Sequence, residues 1–151
     1  IVKFDNDNPN LYFDLIDDSY NSNPTSLKAG LMLLRNIHEM RNVSKKGTGK
    51  RIAILGDMLE LGSEEIAIHE GIANWQEIEG ITNFYLVGPL MKSLDGALSD
   101  GVHKMWFKSS SELASFIISA VSTDDVFLVK GSNSVRMIEV VNKLKNITSL
   151  C

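Results

Sequence analysis

The sequence predicts an α/β protein of three layers (αβα), in which a doubly wound, mostly parallel sheet of five or six strands lies between helices. Short apolar runs rich in Val, Ile, Phe and Tyr alternate with stretches of helical periodicity, in the order βαβαβαβαβα. The apolar runs mostly lack the in-out alternation of a half-exposed strand, which is typical of parallel strands buried on both faces. Alternating strands and helices of this kind favour a doubly wound sheet.

The strand candidates set the domain limits. Residues 1–10 carry several Asp, Asn and Pro residues and predict an irregular lead-in, 11–146 form one domain, and 147–151 form a tail. Between the first two strands, residues 43–50 predict a surface loop. The predicted strands cover residues 11–17, 51–56, 83–88, 103–107 and 125–130.

Each predicted strand is followed by a helical pattern. Asn23 can cap the first helix, and Pro24 fits its first turn, where the missing N–H costs nothing. Ser109 and Glu112 form a capping box that opens the fourth helix. The predicted helices cover residues 24–40, 63–77, a short stretch after 89, a stretch from 109, and 134–145. The residues predicted to face inward are Leu27, Leu31, Leu34, Ile68, Ile72, Trp75, Met137, Val141 and Leu144.

Composition narrows the function classes. The 151 residues, 44% hydrophobic and 23% charged, suit one globular domain. A net charge of −4 argues against a nucleic-acid binder, and a solvated loop accounts for the basic cluster of Lys45, Lys46, Lys50 and Arg51. No apolar run approaches the roughly 18 residues of a membrane span. The only cysteine excludes an internal disulfide, and three scattered histidines show no metal-ligand spacing.

Polar residues follow three of the five predicted strands. They are the stretch from Asp17 to Asn23, Asp57 after Gly56, and the run Lys130-Gly131-Ser132. Because parallel strands end at one edge of the sheet, where such folds bind ligands, these residues should share one rim. The order of the residues therefore predicts a polar ligand site.

Each group of rim residues leaves two interpretations open. Lys130-Gly131-Ser132 could bind a carboxylate or phosphate at a helix start, or merely cap that helix. Asp17 and Asp18, which alternation places on opposite sides of the strand, could hold Mg²⁺, a ribose hydroxyl or an ammonium, or could form a turn. Tyr20 could stack on a ring or fill the core, and Asp57 could bind a ligand or belong to a turn. For His69 we expect a structural role.

Three motifs resemble one family. Residues 17–24 (D-D-S-Y-N-S-N-P) resemble the D-D-S-Y-N-A-N-P motif that opens the C-terminal domain of the Mur ligases that add D-Ala-D-Ala. Residues 55–62 resemble their L-G-D-M-x-E-L-G loop, and 129–132 resemble their V-K-G-S motif, in the same order along the chain. Ser22 stands where alanine is usual and Asn133 where arginine is common, and Arg136 offers a replacement cation one turn later.

The resemblance implies a Rossmann-like C-terminal domain of an ATP-dependent ligase of peptidoglycan precursor synthesis. In this family ATP phosphorylates the carboxylate of UDP-N-acetylmuramoyl-tripeptide, and the amine of D-Ala-D-Ala attacks the acyl phosphate. The P-loop, the Mg²⁺ ligands and the UDP-sugar site belong to central and N-terminal domains, and this sequence has no G-K-[ST] motif. We therefore expect ATP and Mg²⁺ to serve the full-length enzyme, which we expect to be monomeric and cytoplasmic. We expect no tightly bound cofactor, no metal and no ligase activity in this stretch alone.

The resemblance also implies roles for individual residues. Asp18, Tyr20, Asn21 and Asn23 should face the nucleotide. The dipeptide or the developing intermediate should meet a second group, which consists of Asp57, Lys130, Gly131 and Ser132. No catalytic residue is expected in this stretch.

Three alternatives stay open at this point. A different Mur-type amino-acid ligase would share the fold but should carry a different first motif. A receiver-type phosphorylation domain would also place acidic residues and a lysine on the rim, but Asp57 follows the second strand instead of the third, and Lys130 precedes glycine instead of proline. A binding module without a catalytic partner domain is the third alternative.

Overall fold

The computed structural model describes residues 2–3, 11–44 and 49–147 of the chain. The strands are β1 Val2–Lys3, β2 Asp14–Asp18, β3 Arg51–Gly56, β4 Asn83–Val87, β5 His103–Phe107 and β6 Val126–Lys130. The α-helices are α1 Pro24–Ser44, α2 Glu65–Gly71, α3 Met91–Ala97, α4 Ser110–Ile117 and α5 Ile138–Asn146. In the described part of the chain, no helix has both the length and the apolar character to cross a membrane.

A six-stranded sheet in the order β1-β2-β6-β3-β4-β5 forms the middle layer. All strands from β2 to β6 pair in parallel, and only β1 pairs antiparallel, with β2. This confirms the predicted sheet. Strand β1 lies in the segment that we expected to be irregular, because two residues of the lead-in pair with Asp14 and Leu15. Residues 4–10, 45–48 and 148–151, which include most of the predicted lead-in and tail and half of the predicted loop, lie outside the described residues.

Helices cover both faces of the sheet. Side chains of α1 and α3, including Leu31 and Leu94, pack with Ile72 against one face. Side chains of α4 and α5, including Leu113 and Leu144, pack against the other face. β3, β4 and β6 are almost wholly buried, which explains why their sequences do not alternate. The three-layer prediction is thus confirmed.

Three predicted helices differ from those observed. The first was expected to end at residue 40, but α1 continues to Ser44 and so includes the start of the predicted loop 43–50. The second was expected over residues 63–77, but α2 ends at Gly71, and the chain continues in two 3₁₀ turns separated by extended Trp75. Gly71 and Asn74 are weak helix formers, while burial of Ile72 maintains the inward pattern. The fifth begins at Ile138 instead of 134, as described below. Met137, Val141 and Leu144 are fully buried, as predicted.

Both predicted N-caps are observed. Asn23 Oδ1 accepts a hydrogen bond from Ser26 N at 2.8 Å, and α1 begins at Pro24. Ser109 Oγ accepts from Glu112 N at 3.2 Å. The reciprocal bond of the expected capping box differs, because the Glu112 carboxylate accepts from Lys108 N, one residue before the cap. These local bonds fix where each helix begins.

The topology places the candidate site at the end of β6. This strand lies between β2 and β3. The chain leaves β2 and β3 toward the face covered by α1 and α3, whereas it leaves β6 toward α5 on the opposite face. A crevice opens where neighbouring strands lead to opposite faces, and open α/β sheets bind ligands there.

Candidate functional site

The ends of three strands meet at this crevice. Lys130, the last residue of β6, is paired in register with Asp18 of β2 on one side and with Leu55 of β3 on the other. The segments after these strands therefore start side by side. The prediction that they share one rim agrees with this geometry.

Lys130 points inward, beneath the octapeptide 17–24. Its side chain is 1% exposed, and Nζ lies 2.8 Å from Asp18 Oδ2 and 2.9 Å from the carbonyl oxygen of Asn21. Its Cδ lies close to Gly30 of α1, on the α1 face of the sheet. Since both acceptors belong to the octapeptide, the ammonium group ties this loop to the end of β6. From sequence we considered an anionic ligand or a helix end as the partner of this segment, whereas the two acceptors of the ammonium are Asp18 and Asn21.

Asp17 and Asp18 point to opposite sides of β2, as alternation predicts. Asp17 Oδ1 accepts hydrogen bonds from the backbone and hydroxyl of Ser19, at 3.2 and 2.7 Å, which closes a turn. Its Oδ2 lies 3.9 Å from Lys145 Nζ of α5. Asp18 faces α1 and remains half exposed, with 50% of its side chain accessible.

Of the other octapeptide residues, Tyr20 is open to solvent, whereas Asn21 and Asn23 make local hydrogen bonds. Tyr20 is 79% exposed, which excludes the core interpretation. It lines a cleft of about 340 Å³, here called the tyrosine cleft. Asn21 Oδ1 accepts from Ser22 N at 2.9 Å, and Asn23 uses its side-chain oxygen to cap α1. The tyrosine cleft is lined by Asp17, Asp18, Ser19, Tyr20, Asn133 and Ile138.

Asp57 is buried, and both of its carboxylate oxygens are in use. Oδ1 accepts from Met91 N at 2.8 Å and Oδ2 from Leu90 N at 3.2 Å, at the start of α3. Gly88, with φ of +105°, passes so close that a Cβ there would lie 2.6 Å from the Asp57 carboxylate. Burial raises the pKa of Asp57, although the backbone hydrogen bonds from Met91 and Leu90 oppose the shift.

The loop after β3 is held in place on several sides. Ser132 N donates to Asp57 O at 3.2 Å, and Ser132 Oγ accepts from Leu59 N at 3.0 Å. His69 is fully buried, and its Nε2 accepts from Met58 N at 3.0 Å. Its Nδ1 must therefore carry the proton that bonds Glu65 O at 2.6 Å, which defines a neutral tautomer. The expected structural role of His69 agrees with these contacts.

Gly131 lies where the end of β6, the end of β3 and Met137 come very close together. A Cβ at Gly131 would lie 2.6 Å from Met137 Cγ and 3.2 Å from the Cα of Gly56. The position that a Cβ would take at Gly131 is thus filled by Met137. The predicted helix start next to it is wrong, because a 3₁₀ turn at Asn133–Val135 and left-handed Arg136 come before α5. After this turn, Met137 packs against both Gly56 and Gly131.

Glu60, Lys108 and Ser134 line clefts, although none of them was predicted from sequence as a site residue. A cleft of about 300 Å³, here called the glutamate cleft, is lined by Asn21, Leu59, Glu60, Ser132, Asn133 and Ser134. A cleft of about 280 Å³, here called the basic cleft, shares Ser134 and contains Lys108, Ser109, Ser110 and Arg136. Lys108 directly follows β5, so the strand-end criterion, applied to every strand, would have found it.

Metal binding by clustered side chains has no support in the described ranges. Among residues 2–3, 11–44 and 49–147, no three His, Cys, Asp or Glu side chains come together as a metal site.

The fold and the site define a doubly wound α/β domain with polar residues at the carboxyl ends of its strands. A family model described as Mur ligase, glutamate ligase domain, matches residues 7–133. The chain belongs to the Mur ligase family and corresponds to its C-terminal domain. This membership excludes the receiver-type interpretation.

Curated relatives and solved structures agree with this family. The chain is 30% identical over 128 residues to the UDP-N-acetylmuramoyl-tripeptide–D-alanyl-D-alanine ligase of Rickettsia prowazekii, and this match covers 85% of the chain but only 26% of the relative. It is 32% identical over 133 residues to the Escherichia coli ligase of the same name, covering 87% of the chain and 26% of that protein. The chain thus spans about a quarter of these relatives.

Among solved structures, MurF ligase from Thermotoga maritima in complex with ADP superimposes with a TM-score of 0.67 at 21% identity, covering 89% of this chain and 28% of that one. MurF from Acinetobacter baumannii gives the same TM-score at 22% identity, covering 89% of this chain and 27% of that one. At this level of identity the structures support the fold.

Proposed function

We propose that this chain is the C-terminal domain of a cytoplasmic ligase that joins D-Ala-D-Ala to UDP-N-acetylmuramoyl-tripeptide at the expense of ATP, in peptidoglycan precursor synthesis. The observation that carries the proposal is the buried bond from Lys130 to Asp18 and Asn21, which binds the octapeptide to the rim. Two motifs of the family resemblance are thus parts of one structure. The names of the curated relatives support the substrates.

The tyrosine cleft is the proposed contact surface for the nucleotide, here called the nucleotide wall. Asp18, Tyr20 and Asn21 lie on one loop, and the exposed ring of Tyr20 is free to stack on a base. Asn23 contributes through its cap, which fixes the point where the loop enters α1. In this arrangement the domain binds ATP held by the central domain and does not supply the P-loop or the Mg²⁺ ligands.

The segments that follow β3 and β6 form the proposed contact surface for the dipeptide, here called the dipeptide wall. The hydroxyl of Ser132 accepts from Leu59 N, so its own proton is available to a ligand in the glutamate cleft. Asp57, Lys130 and Gly131 are buried there, and their contacts shape the two loops that border this cleft. These three residues thus support the wall, and Ser132 faces the substrate.

In the proposed reaction, this domain orients the reacting groups and closes over them. ATP activates the tripeptide carboxylate as an acyl phosphate, the dipeptide amine attacks its carbonyl carbon, and phosphate leaves the tetrahedral intermediate. Water would hydrolyse the acyl phosphate, so closing a rim over it favours the amine. The tightly bonded loops of this rim present a preformed surface for that closure.

Ligation by the longer enzyme that contains this chain would test the proposal. Purified enzyme should release one phosphate per product when ATP, Mg²⁺, the UDP-linked tripeptide and D-Ala-D-Ala are all present. The chain alone should be inactive, because it has no G-K-[ST] motif. Turnover with a single amino acid in place of D-Ala-D-Ala, and none with the dipeptide, would instead assign the chain to another Mur-type ligase.

A further inference from the structure

Glu60 occupies an unusual position after the loop that follows β3. The three residues before it are fixed by hydrogen bonds to Leu90, Met91, His69 and Ser132. Glu60 itself has a φ of 62°, in the left-handed region that non-glycine residues seldom adopt. Its carboxylate makes no ion pair or hydrogen bond within the described residues. The fold thus holds one unpaired anionic group at a defined place on the rim.

The cleft beside Glu60 is suited to a cation that also forms hydrogen bonds. Besides Glu60, the glutamate cleft is lined by two serines and two asparagines, and no cationic side chain lines it. Lys130 belongs to the neighbouring strand end, but its ammonium is occupied by Asp18 and Asn21. The charge of Glu60 is therefore not neutralised at the cleft. Hydroxyl and amide oxygens offer further acceptors to an ammonium.

The basic cleft carries the opposite charge on the other side of Ser134, which lines both clefts. Lys108 and Arg136 both line it, and Arg136 Nε also pairs with Glu139 at 3.1 Å. The carboxylate of Asp57, which borders the same cleft, is already engaged by backbone N–H groups. A negative and a positive cleft side by side complement a small zwitterion whose charged ends are separated by a short chain.

We propose that Glu60 binds the terminal ammonium of the incoming dipeptide and so selects for a free amino end at this position. The inference rests on the proposed function and adds a specificity residue to it. Glu60 takes part in no covalent step. It holds the amine in the glutamate cleft, while the carboxylate end of the dipeptide points toward Lys108 and Arg136.

Steady-state kinetics of the longer ligase would test this role. E60Q should raise the KM for D-Ala-D-Ala about fivefold, the upper end for an exposed ion pair, with kcat and the KM for ATP unchanged. E70Q is the matched control, because Glu70 is an exposed glutamate on α2 that lines none of the clefts described, and its kinetics should equal wild type. E60D keeps the charge on a shorter side chain and should fall between the two.

A second dipeptide distinguishes loss of the Glu60 charge from a general distortion of the loop by the substitution. N-acetyl-D-Ala-D-Ala lacks the ammonium, so as an inhibitor it should bind E60Q and wild type equally. An unchanged KM for D-Ala-D-Ala in E60Q would overturn the inference, as would an equal loss of affinity for both dipeptides. If wild-type enzyme does not ligate D-Ala-D-Ala, the proposed function fails; if it does and E60Q matches it, only the role of Glu60 fails.

Discussion

Lys130→Met and Asp18→Asn remove opposite halves of the same ion pair and should not cost the same. Lys130 is 1% exposed, whereas half of Asp18 is accessible to water. Without Lys130, the Asp18 carboxylate can be rehydrated where it stands. Without the charge of Asp18, the ammonium stays buried with the Asn21 carbonyl and a weaker amide partner. The aspartate variant should therefore be the less stable one.

The magnitudes follow from these contacts. Methionine replaces most of the aliphatic volume of Lys130 and carries no charge to desolvate, which offsets part of the loss of two charge-assisted hydrogen bonds. Lys130→Met should therefore cost about 2 kcal/mol. Asp18→Asn leaves a buried charge without its counter-ion and should cost about 3 kcal/mol, the lower end for a broken buried pair. Lys143→Met is the control at an exposed lysine of α5 and should stay within about 0.5 kcal/mol of wild type.

Urea denaturation of the chain, followed by tryptophan fluorescence, measures all three free energies of unfolding. Trp75 and Trp106 are both partly buried and report on loss of the core. The expected order is Asp18→Asn, Lys130→Met, Lys143→Met, from least to most stable, with equal m-values. If Lys130→Met proves as stable as the Lys143→Met control, the ammonium does not hold the loop. If Asp18→Asn is the milder of the two pair variants, the burial argument is wrong.

Three further predictions concern other rim residues. Burial holds the pKa of Asp57 above its ordinary value of 3.8, so wild type should lose stability relative to Asp57→Asn as pH rises from about 4 through the raised pKa. Urea denaturation of both proteins between about pH 4 and pH 7 would measure this difference in the free energy of unfolding. A difference that stays constant with pH would contradict the prediction. Gly131→Ala should cost about 1–3 kcal/mol in urea denaturation because its Cβ meets Met137, whereas Gly71→Ala, with open space, should not destabilise. Tyr20→Ala should keep stability within about 0.5 kcal/mol yet raise the KM for ATP of the longer ligase; unchanged kinetics would remove Tyr20 from the nucleotide wall.

Local chemistry made much of the fold predictable. The cap at Asn23 and the bond between Ser109 and Glu112 span three residues each, so they can be recognised from sequence alone. Burial on both faces of β3, β4 and β6 gives continuous apolar runs, which made these strands recognisable from sequence. The shared rim followed, because parallel strands must end at the same edge.

The direction of each rim side chain was decided by the tertiary structure. Which strand lies beside β6 cannot be read from its own residues, yet this neighbour determines that Lys130 meets Asp18, 112 residues away in the chain. Asp57 likewise is bonded by the start of α3, where Met91 N donates to its carboxylate. The sequence by itself thus determined the elements, the edge and the residue types found there. Pairing between distant segments decided which of these side chains support the loops and which, such as Tyr20 and Glu60, remain open to a ligand.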